Sequence, residues 1–324
     1  MSYMKDNERE QPLVSFIIPV YNLPAEMVRE CIESITSLSL SVGEREIIVV
    51  DDGSDVAPIN ELTDLRDRIV YVRQSNKGLP GARNTGLRIA TGRYIQFVDA
   101  DDMLVQYPYE HCLDIVRYKN PDIVMFEITS RHSRRGARMP FVCPQSVSGR
   151  QYMRDNNLRA AACGYIFRRG ITGSLRFDES LRSHEDEDFT PRLVLQAERL
   201  FSTTAKAYFY RQRKGSITHN GDNAHIDRRL ANMETVICRL RDLALTLPDE
   251  DKPAMSRRVA QLTMDYLYNT IKLKHDATLL EVTVERLRDK GLFPLPDKKY
   301  TRKYTYFRKC MNHRLTRELM VRFL

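Results

Sequence analysis

The sequence lacks the long apolar runs that place proteins in membranes. No stretch of the 324 residues reaches the about 18 consecutive apolar side chains that a transmembrane helix needs. The amino-terminal residues are mostly polar or charged and contain no apolar core of a secretory signal. We therefore expect a protein that stays in the cytoplasm.

Tryptophan is absent, and cysteine and glycine do not form the patterns of common cofactor sites. The six cysteines include no C-x-x-C pair, which argues against a zinc site and a disulfide framework and fits a reduced compartment. Gly78, Gly81 and Gly86 do not have the G-x-G-x-x-G spacing, and no G-x-x-x-x-G-K-[ST] motif occurs. These absences argue against NAD and against ATP held by a phosphate-binding loop.

Positive charge is concentrated at one end of the chain. The formal net charge is +8, and residues 298–324 contain nine Lys or Arg and one acid, so this tail carries the whole excess. Because the other charges balance, a nucleic-acid-binding surface spread over the fold is not expected.

The same tail has apolar residues at helical spacing. They are Tyr304, Phe307, Met311, Leu315, Leu319 and Phe323. One interpretation is an amphipathic helix on an anionic membrane, which would place the protein peripherally on the inner face of that membrane. The alternative is a helix packed on the rest of the protein with a basic face towards solvent.

Short apolar runs alternate with helical patterns in the first half of the chain. Strands are predicted at 14–20, 46–50 and 69–73 and at the run that ends at Asp99, with a helix in each interval. This alternation predicts an α/β fold with a mostly parallel sheet flanked by helices.

The patterns divide the chain into four regions. These are a disordered start (1–12), an α/β domain (13–222), a mainly helical C-terminal extension (223–297) and the basic amphipathic tail (298–324). Within the α/β domain, residues 76–84 are predicted to form a loop that leads into a helix.

Carboxylates follow two of the predicted strands, at the sheet edge where ligands of such folds bind. Asp51 and Asp52 follow one strand, and Asp99, Asp101 and Asp102 follow another. Three carboxylates within four positions repel one another unless a cation compensates them, and hard divalent ions prefer such oxygens. The pattern predicts Mg²⁺ or Mn²⁺ holding a diphosphate, and the alternative is an acidic turn that caps the next helix.

A second acidic cluster, residues 185–188, precedes an apolar helical pattern. Ser183 can serve as the N-cap of this helix, and the helix dipole stabilises acids in the first turn. Capping does not require four acids in a row, so a chemical role is also open.

Four segments carry a family resemblance by their sequence and their order. They are Ser15–Asn22 (SFIIPVYN), Glu46–Ser54 (EIIVVDDGS), Gly78–Gly86 (GLPGARNTG) and Tyr94–Asp102 (YIQFVDADD). Together they resemble the family 2 glycosyltransferases, inverting nucleotide-sugar enzymes with a Rossmann-like GT-A fold. The resemblance continues more loosely through 185–189 and 210–219, so it covers about residues 13–220 and leaves the C-terminal third outside.

The resemblance implies binding residues for a UDP-sugar donor. Pro19, Tyr21 and either Asp51 or Asp52 would receive the uracil and ribose, and Arg83 would contact the nucleotide. The implied donor-binding positions are Pro19, Tyr21, Asp51, Asp52, Gly78, Arg83, Asp99, Ala100, Arg211 and Arg213, of which the two last arginines would neutralise the leaving diphosphate.

The resemblance also implies a divalent metal, Mn²⁺ or Mg²⁺. Asp101 would bind the metal, and Asp99 would contact the metal or the ribose. His219 falls where this fold often places a further metal ligand, and a structural role for this histidine is the equal alternative. The metal and the arginines would stabilise the charge that develops on UDP as it leaves.

The acceptor hydroxyl must lose a proton, which requires a carboxylate within about 3 Å. The resemblance assigns this catalytic base to Asp186, with Glu185 beside it. Because Glu187 and Asp188 repeat the pair, the register can shift by two residues, and Phe189 at the family's spacing favours Asp186.

The implied reaction moves a hexose or N-acetylhexosamine to a hydroxyl of a glycan or lipid-linked glycan, in surface polysaccharide biosynthesis. The family's processive synthases carry a Q-x-x-R-W motif and membrane spans, which this sequence lacks, so we expect one sugar or a few to be added. Two alternatives are a nucleotidyltransferase, whose glycine-rich basic loop near the first strand is missing, and an inactive binding protein, against which the intact acidic pairs speak.

Overall fold

The computed structural model describes residues 11–130, 141, 145–212, 222–298 and 300–323. The chain divides into two compact units. Unit 1 comprises the described residues up to 146, residues 162–179 and residues 201–212. Unit 2 comprises residues 147–161, residues 180–200 and the described residues after 212.

A mixed sheet runs through the α/β part of the chain. Its strands, among the described residues, are β1 (Val14–Val20), β2 (Arg45–Asp51), β3 (Val70–Arg73), β4 (Tyr94–Phe97), β5 (Met103–Leu104), β6 (Ile123–Thr129), β7 (Tyr165–Arg168) and β8 (Leu200–Phe209). Their order is β3-β2-β1-β4-β7-β6-β8-β5. Strands β1 to β4 pair in parallel, whereas β7 is antiparallel to β4 and β6, and β5 is antiparallel to β8. The predicted α/β architecture is confirmed, with the parallel pairing in the half where strands and helices alternate.

The helices of unit 1 are α1 (Ala25–Thr36), α2 (Gly78–Ile89) and α3 (Gln106–Lys119). Helix α1 buries Val28, Cys31, Ile32 and Ile35, the face that its periodicity indicates. Strand β1 is buried along its whole length, which explains why its sequence is almost continuously apolar.

Two local predictions in unit 1 are wrong. The predicted loop at 76–84 is a helix from Gly78 onward, since this glycine turns the chain at φ +78° and Pro80 needs no hydrogen-bond acceptor in a first turn. A Cβ at Gly86 would lie 2.2 Å from Ile17 Cγ2, so this glycine lets α2 lie directly on β1. The segment between β2 and β3 forms short 3₁₀ helices instead of an α-helix, at Pro58–Asn60 and Thr63–Arg68.

Unit 2 is helical. Its helices are α4 (Gly149–Asp155), α5 (Glu185–Leu195), α6 (Asn223–Thr246), α7 (Lys252–Lys274), α8 (Ala277–Asp289), α9 (Arg302–Asn312) and α10 (Arg314–Phe323). Helix α7 packs against α4, α5, α6, α8, α9 and α10, which makes it the central element of this unit. The predicted mainly helical C-terminal extension is confirmed.

The basic tail forms two helices, α9 and α10, instead of one. Helix α9 buries Phe307 and Met311, and Tyr304 donates a hydrogen bond to Asp265 on α7. This is the packing of the second interpretation, because these apolar residues are not available to a membrane. Helix α10 leaves Leu315 and Phe323 exposed. None of the helices in the described ranges has the length and apolar character required to cross a membrane.

Candidate functional site

The parallel strands of unit 1 bring the predicted donor residues to one edge of the sheet. In the β1–β2 pair, Pro19 lies opposite Val50. The amide of Asp52 donates to Val20 O at 2.8 Å, and the amide of Val98 donates to Ile17 O at 3.0 Å. The chain segments that carry Tyr21, Asp52 and Asp99 therefore leave neighbouring strands side by side, as the carboxyl ends of parallel strands must.

The loops after β1 and β2 are tied to each other. Asn22 adopts a left-handed conformation (φ +47°), and its side chain exchanges two hydrogen bonds with Asp55, at 2.8 and 3.1 Å. The backbone amide of Asn22 donates a hydrogen bond to Ser54 Oγ at 3.0 Å. These contacts fix the backbone next to Tyr21, whose side chain is half exposed.

Asp51 and Asp52, which the sequence leaves as alternatives, have different surroundings. Asp51 is fully buried and accepts hydrogen bonds from Ser54 N at 2.8 Å and Tyr71 Oη at 2.6 Å. Arg73 Nε lies 3.5 Å from the same carboxylate. The protein thus uses both oxygens of Asp51.

Asp52 accepts both of its hydrogen bonds on one oxygen. Gln74 Nε2 and Lys77 N donate to Oδ1 at 2.7 and 2.9 Å. Within the described ranges, no donor hydrogen-bonds to Oδ2. Asp52 is itself only 3% exposed, so the unused hydrogen-bonding capacity of Oδ2, and not a difference in accessibility, favours Asp52 over Asp51 as the residue that meets a nucleotide base.

Arg83 lies on α2 and is directed at Asp99. Its guanidinium is almost completely buried, and Nη2 lies 3.1 Å from Asp99 Oδ1. The guanidinium carbon lies 5.8 and 5.3 Å from the ring centres of Phe97 and Phe177, which restrict its movement. The structure therefore gives Arg83 the role of orienting Asp99, and its contact with a nucleotide stays a prediction.

Asp102, the third acid of the cluster, anchors the acidic loop to strand β8. It is buried, and it accepts hydrogen bonds from Tyr208 Oη and from Arg211 N, both at 2.8 Å. Tyr208 Oη in turn accepts from Asp99 N at 3.0 Å. Burial first, and then the negative charges of Asp99 and Asp101, raise the pKa of Asp102 to about 7.

The electrostatics of this loop fit a cation. Burial first, and then the negative charges of this loop, also raise the pKa of the Cys31 thiol. Asp99 and Asp101 keep part of their surface exposed, whereas Asp102 does not. The described residues contain no group of three or more His, Cys, Asp or Glu side chains that could hold a metal ion. Two aspartates fit Mn²⁺ or Mg²⁺ if phosphate oxygens and water supply the remaining ligands.

Further predicted donor residues lie nearby or outside the described residues. Gly78 begins α2, and Ala100 is buried between Asp99 and Asp101. The backbone amide of Arg211 donates a hydrogen bond to Asp102, and its guanidinium donates one to Glu30. Arg213 and His219 lie outside the described residues.

The acidic cluster of unit 2 forms the first turn of α5. The N-cap is His184 in a left-handed conformation (φ +64°) and not Ser183, so that prediction is wrong. Glu187 pairs with the buried Arg258, and Asp188 pairs with Arg192 at 2.7 Å. Glu187 and Asp188 thus contribute to the packing of this unit through ion pairs.

The candidate bases of this cluster differ in accessibility. Asp188 is 4% exposed, and Glu185 is 8% exposed. Asp186 is partly exposed. A general base must reach a proton on a bound substrate, so accessibility favours the register that places the base at Asp186.

Sequence reasoning missed Tyr208 and Glu30 as parts of the site, and it gave Asp102 no role separate from those of Asp99 and Asp101. Tyr208 lies 106 residues from the carboxylate that it binds, in a strand whose pattern shows only that it is buried. Asp102 was visible as an acid, but only its depth distinguishes it from Asp101.

Comparisons with known proteins point to the same family as the sequence motifs. Residues 15–172 match the family model described as Glycosyl transferase family 2. The uncharacterized glycosyltransferase EpsJ of Bacillus subtilis is 31% identical over 222 residues, which cover 64% of this chain and 63% of EpsJ. The minor teichoic acid biosynthesis protein GgaB of the same organism is 28% identical over 209 residues, which cover 62% of this chain and 23% of GgaB. The matched regions span less than two thirds of the length of these relatives.

A solved structure shares the fold. Residues 1–349 of S. aureus TarS in complex with UDP-GlcNAc align with a TM-score of 0.68 at 18% identity, covering 95% of this chain and 89% of that chain. This likeness confirms the GT-A type of fold that the sequence resemblance implies.

Proposed function

Because the chain belongs to glycosyl transferase family 2, we propose that it transfers a sugar from a UDP-sugar to a hydroxyl of a glycan or lipid-linked glycan. The observation that carries the proposal is the convergence of Tyr21, Asp52 and the acidic loop at one sheet edge. The transferred sugar is a hexose or an N-acetylhexosamine, and it changes anomeric configuration in a single displacement.

Uridine suits the residues at this edge. The exposed ring of Tyr21 offers a stacking face for a base. The Asp52 carboxylate can accept the N3–H of uracil, whereas the unprotonated N3 of cytosine has no proton to donate. The UDP-GlcNAc complex of TarS, which has the same fold, supports a uridine donor.

Asp99 and Asp101 would hold Mn²⁺ or Mg²⁺, which would stabilise the charge on the leaving diphosphate. Arg83 orients Asp99, and the Tyr208–Asp102 pair fixes the loop that carries Asp101. The protein thereby prepares both carboxylates before the donor binds, so little reorganisation is needed on binding.

Asp186 acts as the general base in this proposal. It removes the proton of the acceptor hydroxyl as that oxygen attacks the anomeric carbon from the face opposite UDP. Its place in the first turn of α5 and its partial exposure support this role, and Glu185 beside it contributes negative charge.

The acceptor belongs to surface polysaccharide biosynthesis in this proposal. The family match and the teichoic acid biosynthesis protein GgaB support this setting. The acceptor is a glycan, free or linked to a lipid.

UDP release from a panel of UDP-hexoses and UDP-N-acetylhexosamines, measured with Mn²⁺, tests the proposal. We expect one donor to be hydrolysed slowly by the wild type and by Asp67→Asn, an exposed control, but not by Asp101→Asn. Release of pyrophosphate from a nucleoside triphosphate and a sugar phosphate would instead identify a nucleotidyltransferase.

A further inference from the structure

Unit 2 contains a cavity of about 600 Å³ that the proposed donor site does not use. This volume lies within the range of about 300 to 1,000 Å³ that is typical of small-molecule sites. Eight of its thirteen lining residues are methionine, tyrosine or phenylalanine, contributed by α6, α7, α9 and α10. The wall is therefore mainly apolar.

Three polar groups of the wall already have partners in the protein. Glu187 pairs with Arg258, and Asp265 accepts a hydrogen bond from Tyr304. His184 Nδ1 lies 3.2 Å from Ser183 Oγ. A saccharide in this cavity would bury many hydroxyls against a mainly apolar wall, which is costly for each hydroxyl that finds no partner, whereas a hydrocarbon chain needs none.

The apolar side chains suit a flexible aliphatic ligand. Met233, Met264 and Met320 line the cavity, and methionine adapts its shape to irregular apolar surfaces. Lys303 also lines it, with Nζ 5.0 Å from the centre of the Tyr268 ring. This ammonium group places a positive charge in the wall, and a positive charge suits a phosphate.

The cavity begins at the helix that carries the proposed base. His184 and Glu187 line it, and they flank Asp186 in sequence at the start of α5. A ligand in the cavity therefore lies next to the turn that an acceptor hydroxyl must reach.

We propose that this cavity binds the hydrocarbon chain of a lipid phosphate that carries the acceptor glycan. This inference rests on the proposed transferase function and specifies its acceptor as lipid-linked. The chain occupies the methionine and aromatic wall, and Lys303 contacts the phosphate.

Titration with farnesyl phosphate and dodecyl phosphate, below their micelle concentrations, tests the proposal directly. We expect at least one of these lipid phosphates to bind the full chain, while inorganic phosphate and maltose do not. Binding of both supports an aliphatic site, and a preference identifies a branched or a linear chain. Binding of maltose without either lipid would overturn the proposal in favour of a saccharide site.

Two pairs of variants locate the binding. Met320→Glu places a charge in the wall and should weaken lipid phosphate binding at least about tenfold. The control is Leu319→Glu, because Leu319 is half exposed and lies outside the lining, and it should change the affinity less than about twofold. Lys303→Gln should weaken binding more than Lys309→Gln, which alters an exposed lysine on the same helix. Equal effects within both pairs would contradict the assignment.

UDP binding in the same samples separates this inference from the proposed function. If UDP binds and neither lipid phosphate does, the acceptor inference is wrong and the donor site stands. If a lipid phosphate binds and UDP does not, the donor proposal fails while the lipid site stands.

Discussion

Arg83 donates a hydrogen bond to Asp99 across 3.1 Å from a guanidinium that is almost completely buried. A residue of the donor motif on α2 is thereby linked to the first carboxylate of the acidic loop. The geometry of one motif depends on the other, although 16 positions separate them.

Replacing Arg83 by lysine should weaken Mn²⁺-dependent UDP binding by about tenfold, because an ammonium group lacks the planar guanidinium that lies against Phe97 and Phe177 and directs Nη2 at Asp99. Arg88→Lys, on the exposed face of the same helix, is the matched control and should bind UDP as the wild type does. Calorimetry measures both. Equal affinity in the two variants would show that Arg83 does not position Asp99.

Tyr208→Phe should weaken Mn²⁺-dependent UDP binding and lower the free energy of unfolding by about 1 to 3 kcal/mol, because it removes the donor to Oδ2 of the buried Asp102 and leaves, among the described residues, only the Arg211 amide at Oδ1. Tyr109→Phe is a suitable control, since this buried tyrosine hydrogen-bonds to Gln96 at 3.3 Å. The control should lose stability without losing affinity for UDP. If both variants lose affinity equally, the effect comes from stability alone.

Asp186→Asn should lower the rate of sugar transfer by about 10² to 10⁴ while UDP affinity stays within about twofold of the wild type, because the base acts on the acceptor. Asp188→Asn should mainly lower stability, since this buried carboxylate pairs with Arg192. Transfer assays and urea unfolding on both variants separate the two registers. A folded, inactive Asp188→Asn beside an active Asp186→Asn would mean that the base is Asp188.

His184 gives a prediction for acid stability. Burial, with a smaller effect of the Arg229 charge, lowers the pKa of His184 from its ordinary 6.5 to about 4. Between these values the unfolded chain binds a proton that the folded chain does not, so stability falls as the pH falls from 6.5 towards 4. This residue contributes at most about 1.4 kcal/mol per pH unit.

His184→Asn should reduce that loss, because asparagine tolerates the left-handed backbone and does not titrate. His275→Asn, at an exposed left-handed position, is the control and should keep the wild-type dependence. Urea unfolding at pH 7.5 and pH 5 gives the comparison. Identical pH dependence in all three proteins would contradict the role of His184.

The elements that the sequence predicts well are those whose signal is local. Strand β1 is apolar at nearly every position because helices cover both faces of the sheet, so its pattern indicates a buried parallel strand. The start of α2 was not visible, because glycine and proline at 78–81 are also typical of loops. Only the close approach of Gly86 to Ile17 shows why a small residue lies in this helix.

The different roles of the aspartates depend on tertiary contacts, so the sequence alone could not predict them. Asp99, Asp101 and Asp102 have the same chemistry in the sequence, and a partner more than a hundred positions away determines that Asp102 is the buried anchor. Asp51 and Asp52 are distinguished in the same way, by Tyr71 on β3. The motif thus predicts which segment binds, and the fold determines which carboxylate in it remains available.

Calorimetric titration of UDP, with and without Mn²⁺, tests the central claim of a metal-dependent uridine donor site most directly. The wild type and the exposed control Asp67→Asn should bind UDP in the presence of Mn²⁺, and Asp101→Asn should lose at least about tenfold in affinity. UDP binding that is unaffected by Mn²⁺ and by Asp101→Asn would contradict the account, as would binding of another nucleotide in place of UDP.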